Sequence, residues 1–271
     1  MSRTTSRRLA AFTLGVVVLT PLLAAVPAAA VEPPPPGGRF EYQIGGAGPT
    51  LAETRIVSRD RHDPPAPGVY SICYINGFQA QPDELDWWRR HHPGLLLRHR
   101  GRLVVDQDWG EVLLDTSSAP KRRRLARIQT RWMASCAARG YRAVEFDNLD
   151  SYLRSRGKLN VRNNLALSRL LATSAHRLGL AAAQKNAAEL GRLGRVRAKF
   201  DFAIVEECQR YDECGRYERV WGRRWIEIEY SDQDPRFFAR ACAERGATVS
   251  VLLRDRNIVP RGHSGYVSQW C

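Results

Sequence analysis

Tyr141-Arg142-Ala143-Val144-Glu145-Phe146-Asp147-Asn148-Leu149-Asp150 is a short apolar run that ends abruptly in acids. It lies between two helical patterns. Upstream, Ser118 suits a helix cap and Pro120 its first turn. Leu125, Ile128, Trp132 and Cys136 then share one face, and Gly140 is placed to stop the helix. Downstream, a second helix is expected from about Val161 to Leu178, with Leu167, Leu170, Leu171, Ser174 and Leu178 inward and Gly179 ending it. A β-like run between two helices is the unit of a parallel sheet. Further runs cover Phe40 to Ile44, Arg55 to Ser58, Val69 to Ile75, Val112 to Leu114, Leu180 to Gln184, Phe202 to Val205, Trp225 to Ile228 and Thr248 to Leu253. The expected fold class is therefore α/β, a (β/α)8 TIM-type barrel. Nine runs compete for eight barrel strands, so one is an extra strand or no strand.

Four consecutive runs end in ionisable groups: Asp147, Lys185, Glu206 and Glu229. In a parallel barrel these ends converge on the face where active sites are built. A charge there is costly unless it is paired or at work. Cleaving a glycosidic bond takes two carboxyl groups flanking it, one to protonate the leaving oxygen and one to attack or to activate water. Asp147 and Glu206, on different strands, are the candidate catalytic pair. Glu145, Asp150 and Glu229 add negative charge nearby, and Lys185 adds the opposite charge. A structural salt-bridge network around Lys185 is the competing interpretation. There is no Gly-x-Ser-x-Gly, no His-Glu-x-x-His and no phosphate-binding loop.

In these residues the chain resembles the glycoside hydrolase family 114 endo-α-1,4-polygalactosaminidases. The matching segments are Cys73-Tyr74, Trp109-Gly110-Glu111-Val112-Leu113-Leu114-Asp115, Ala143 to Asp150, Gln184-Lys185-Asn186, Val205-Glu206-Glu207-Cys208 and Glu229-Tyr230, in the family's order. The resemblance implies a barrel that cuts an α-1,4-linked galactosamine-containing polysaccharide internally. It implies that Asp147 and Glu206 are the catalytic acids, and that Tyr74, Asp115, Asn148, Asp150, Lys185, Glu229 and Tyr230 bind substrate. The chain departs from the pattern at Phe146, Val205 and Leu113, where the family carries Pro, Asn and Trp. A non-catalytic carbohydrate- or wall-binding protein on a degenerate barrel is the alternative. Trp87-Trp88 could then stack on sugar rings.

The chain's 271 residues divide into an expected signal peptide (1–30), a Pro-rich linker (31–38) and one catalytic domain (39–271). Arg3, Arg7 and Arg8 precede an apolar stretch that ends in Ala28-Ala29-Ala30, so cleavage after Ala30 and secretion are expected. Once the peptide is removed, no span of a membrane is expected. A formal charge of +14 favours anionic wall or matrix polymers as partners. Lys121-Arg122-Arg123-Arg124 is the densest patch, most simply a solvated helix face, and no specific nucleic-acid motif accompanies it. Six cysteines in an exported chain imply disulfides, with Cys208–Cys214 the best pair and Cys73 readable as a buried thiol. No cofactor and no metal site are expected, and the protein is expected to act as a monomer.

Overall fold

The computed structural model describes Met1 and residues 31–271, so the expected signal peptide lies, Met1 apart, outside the described residues. Eight parallel strands follow one another around a nearly closed barrel: β1 (Phe40–Gln43), β2 (Ile56–Asp60), β3 (Tyr70–Asn76), β4 (Ala143–Asp147), β5 (Ala181–Lys185), β6 (Phe202–Glu206), β7 (Trp225–Tyr230) and β8 (Ser250–Arg254). A ninth, β9 (Ser268–Trp270), pairs antiparallel with β8. The helices α1 (Leu85–His91), α2 (Ala119–Arg139), α3 (Val161–Arg177), α4 (Cys214–Trp221) and α5 (Pro235–Arg245) lie outside. Ser118 caps α2 through the Lys121 N–H, and Gly140 ends it at φ 99°.

Alternation along each strand sorts side chains into two cores. Inside the barrel, Phe40, Ile72, Phe202, Ile204, Ile226 and Leu252 fill the lower layers. Outside it, Cys73, Val144, Phe146, Ala182 and Val205 pack with Leu125, Met133, Leu167 and Leu171 of the helices. The run at Val112 to Leu114 is not a barrel strand. Val112–Leu113 pairs antiparallel with Gln79–Ala80 in a side sheet between β3 and α2. The true ninth strand, β9, falls in a Gly- and Ser-containing tail without a strand-like apolar run.

Cys73, legible as a free thiol, is bonded to Cys136 and ties β3 to α2. Cys208–Cys214 closes the short loop after β6, and Cys242–Cys271 ties α5 to the residue after β9. Segment 31–38, expected as an uncovered linker, lies against the barrel floor. Pro34 is buried, Val31 packs on the inner core, and the Tyr70 hydroxyl donates to the Glu32 carbonyl at 2.5 Å.

Side chains close the barrel where the backbone ladder stops. Ser250 Oγ, Trp270 Nε1 and Arg254 Nε donate to the carbonyls of Gly38, Phe40 and Tyr42 at 2.5, 2.5 and 3.0 Å. Arg254 also donates to Val259 O at 2.7 Å and Val267 O at 3.0 Å, and pairs with Asp255. At the top of the same seam the loops after β1 and β8 touch. A Cβ on Gly45 would meet the Ile258 carbonyl oxygen at 2.3 Å, so glycine is required there.

On the outward face of β7, Glu227 pairs with Arg245 at 2.8 Å. Beside it Glu229 is 1% exposed. Its Oε1 accepts the Gln209 N–H at 3.1 Å, while Oε2 has no partner among the described residues. Burial, reinforced by Glu227 and Glu207, pushes this carboxyl up to about 8.

Arg254→Met leaves the Tyr42 and Val259 carbonyls without their donor and Asp255 without its cation, and should cost about 3–5 kcal/mol in urea unfolding. A loss below about 1 kcal/mol would show that β1 and β8 hold together without it. Glu229, raised in the fold, contributes stability that is full below its unfolded pKa and is lost as pH climbs through its folded value. Glu229→Gln keeps the acceptor and cannot ionise. Wild type should therefore lose more stability than the variant between about pH 5 and about pH 8.5. Parallel pH slopes would rule out a buried neutral Glu229.

Candidate active site

The inward positions at the upper ends of β1 to β7 carry Tyr42, Ser58, Tyr74, Glu145, Asp147, Lys185, Glu206 and Tyr230. Their positions two residues below on β4 and β5 include Ala143 and Ala183, small enough to leave the polar layer room. Lys185 stands at its centre. Its Nζ lies 3.3 Å from Glu145, 3.4 Å from Asp147 and 3.1 Å from Glu206, and it donates to the Tyr42 hydroxyl at 2.7 Å. Burial alone would lower the Lys185 pKa, but the three carboxylates outweigh it and hold the ammonium charged. Glu145 is wholly buried beneath, accepting from Tyr42 at 2.9 Å and Ser58 at 2.6 Å. Burial raises its pKa and Lys185 opposes the rise.

Each catalytic candidate is gripped at both oxygens. Asp147 Oδ1 accepts the Asn148 N–H at 2.7 Å, and Oδ2 accepts the Tyr74 hydroxyl at 2.9 Å. Glu206 Oε2 accepts from Asn186 Nδ2 at 2.8 Å, and Oε1 accepts the Tyr230 hydroxyl at 2.6 Å. Asn186 Oδ1 in turn takes the Glu206 N–H at 2.8 Å. Burial first, and then the adjacent carboxylates, push the Tyr74 and Tyr230 hydroxyls well above the usual range, so both stay protonated donors. The residues after β4, β5 and β6, namely Asn148, Asn186 and Glu207, adopt φ of 62°, 47° and 56°. Left-handed backbone at three neighbouring strand ends is strain concentrated at the mouth.

These groups floor a cleft of about 400 Å³. Six carboxylates line it (Asp106, Asp108, Glu111, Asp147, Asp150 and Glu206) against three cations (Arg154, Lys185 and Arg256). Glu111 accepts from Asn76 at 2.8 Å and Asn148 at 3.1 Å, and burial, with Asp147 and Asp106 adding, pushes its carboxyl up to about 7. Arg154 forks onto Asp150 at 2.9 Å and reaches Asp106 at 2.6 Å. The cleft continues sideways into a groove of about 700 Å³ past Tyr211 and Glu213. Trp109, 60% exposed, and Tyr211, 59% exposed, present open rings along it.

Of the residues expected in the site, Tyr74, Asp147, Asn148, Asp150, Lys185, Glu206 and Tyr230 come together in this cleft. Two do not. Glu229 faces away from the barrel interior, because it is one residue out of phase with Tyr230. Asp115 sits on the flank, bound by Lys121 and by the Ser117 N–H at 3.0 Å. Sequence reasoning missed Tyr42, Asn76, Glu111, Arg154, Asn186 and Arg256. Asn186 adjoins Lys185, and Arg154 falls four residues after Asp150, so both had a local signal. Tyr42 shares the inward phase of Phe40, whereas Arg256 lies in a loop that no periodicity marks.

The description "Glycoside-hydrolase family GH114" matches residues 20–271. Among solved structures, the chain is similar to Aspergillus fumigatus Ega3 in complex with galactosamine, at 20% identity and TM-score 0.70, over 90% of this chain and 98% of that one. It is also similar to the glycoside hydrolase domain of PelA from Pseudomonas aeruginosa, at 18% identity and TM-score 0.58, over 84% and 98%. No curated protein matches in sequence. With nearly the whole described barrel inside the family match, the chain belongs to glycoside-hydrolase family GH114 and is a glycoside hydrolase.

Proposed function

We propose that the protein is a secreted endo-hydrolase of a partly deacetylated, α-1,4-linked galactosamine polymer, with Asp147 as nucleophile and Glu206 as acid and then base. One observation carries this reading: two carboxylates share one buried ammonium on the floor of an acidic cleft. The contacts of Lys185 limit the gap between Asp147 Oδ2 and Glu206 Oε1 to about 6.5 Å, the sum of the two distances. That bound lies at the lower edge of the spacing that holds a water between the carboxyls, and on it we assign direct attack, and so retention. Lys185 and Tyr74 hold Asp147 aimed, at 3.4 and 2.9 Å from its Oδ2. Glu206 lines both the cleft and the side groove, whereas Asp147 lines only the cleft. The leaving chain therefore departs on the Glu206 side.

In the first step the protonated form of Glu206 gives its proton to the glycosidic oxygen as Asp147 bonds to the anomeric carbon and the carbon–oxygen bond to the leaving chain breaks. In the second, Glu206 takes a proton from water, which displaces Asp147. Excess carboxylates in the cleft attract an amine-bearing sugar despite the basic surface elsewhere, and the open groove admits a chain at an internal linkage. The galactosamine bound in Ega3 accords with that chemistry. The cleft is complete within one chain, which suits a monomer, and three disulfides suit an exported protein.

The deciding experiment measures oligosaccharide release from partly deacetylated α-1,4-galactosaminogalactan. Asp147→Asn and Glu206→Gln should each lower kcat by about 10³-fold or more while the fold survives. Activity in both variants would mean the pair is misassigned. The first-formed anomer, followed by NMR, should retain the substrate's configuration, and inversion would restore a water-activating base. Lys185→Met should cost about 3–5 kcal/mol in stability, because Glu145 is left buried without its cation. Wild-type stability in that variant would remove Lys185 from the centre of the network.

A further inference from the structure

The helix α2 carries seven cations and no acid along its 21 residues. Its neighbour α3 carries Arg162, Arg169 and Arg177, again with no acid. Some of the α2 cations have work in the fold. Lys121 binds Asp115, Arg122 donates to Thr116 O at 2.7 Å, and Arg139 donates to Asp63 O at 2.7 Å. Arg123, Arg124, Arg127 and Arg131 are exposed and make no ion pair or hydrogen bond among the described residues. They recur at three- and four-residue spacing, so they form one stripe about 12 Å long down the barrel flank. Like charges at that spacing repel one another, which destabilises a helix that has no acid to answer them. Two acids at the start of adjacent α1 are engaged elsewhere. Glu84 pairs with Arg61, and Asp86 with Arg89 at 3.4 Å. Arg90 and His91 are exposed beside the stripe, and His92 is close enough that Arg124 and Arg131 add to the lowering of its pKa begun by burial.

We infer that this arginine stripe is a docking surface for a linear phosphodiester polymer of the cell wall, separate from the cleft. Arginine forks match phosphate oxygens, and repeated phosphates along a flexible strand would relieve the repulsion down the stripe. The occupant is a single flexible strand rather than duplex DNA. The exposed long side chains of α2 are all cations and its Gln129 is buried, so the stripe itself carries no amide to read base edges. Docking on the flank leaves the acidic mouth free, so one chain can hold a polyanion while its cleft takes a cationic one.

The test is titration of the mature protein with poly(glycerol phosphate) over a salt series. Binding should weaken with salt, with log K falling by about 0.7 per phosphate engaged for each unit of log salt. Arg123→Gln/Arg127→Gln/Arg131→Gln should bind at least about tenfold more weakly, with a shallower slope, and should cleave soluble oligosaccharide at the wild-type rate. Arg192→Gln/Arg197→Gln/Arg223→Gln removes as much exposed charge elsewhere and should bind like wild type. Equal losses in the two triple variants, or no binding by wild type, would overturn the assignment. Tighter binding of duplex DNA per phosphate would overturn the wall polymer as the occupant.

Discussion

The whole upper half of the barrel is organised around one desolvated ammonium. An isolated cation at the position of Lys185 would be too costly to bury, and three carboxylates crowded together would repel each other. Placed within 3.4 Å of one another's counter-charge, the four groups compensate. The arrangement needs space, which Ala143 and Ala183 provide on the strands that carry Glu145, Asp147 and Lys185. It needs donors that cannot ionise away, which the buried tyrosines provide. It also fixes the reacting pair, since Asp147 and Glu206 are each held by an asparagine and a tyrosine while sharing the same cation. Electrostatic preorganisation of this kind loses little to rearrangement when charge develops.

Net charge is a poor guide to what such a protein attracts. The chain is strongly basic, yet its cleft holds twice as many carboxylates as cations. Charges more than about 10 Å away are largely screened at physiological salt, so a substrate at the mouth responds to the mouth. Segregation reconciles the two. Acids gather at the strand ends, and the outer helices α2 and α3 contain none.

The barrel was legible in the sequence because apolar runs and helix patterns alternate and because Ser118, Gly140 and Gly179 punctuate them. Residues that answer to strand phase were legible too: Asp147, Lys185 and Glu206 all end their runs pointing inward. Phase also explains the errors. Glu229 belongs to a run read two residues short, so its side was not assigned, and Tyr230 rather than Glu229 reaches the cleft. Residues brought by loops left no such trace. Glu111 and Trp109 arrive on an insertion whose short strands pair only with each other, and Arg256 arrives after β8. The Cys73–Cys136 bond was hidden because an apolar strand cysteine looks alike whether free or bonded.

The seam between β1 and β8 has a kinetic meaning. Its joints link residues 212 and 230 positions apart, whereas the other strand neighbours are joined through far shorter connections. Bringing such distant segments together carries the largest loop-closure penalty in the barrel, with no continuous backbone ladder to offset it. Closure is then a late event in folding, after the sheet from β1 to β8 has curved round. Weakening it would speed opening more than it slows assembly, so the protein's lifetime, more than its ability to fold, rests on three side chains.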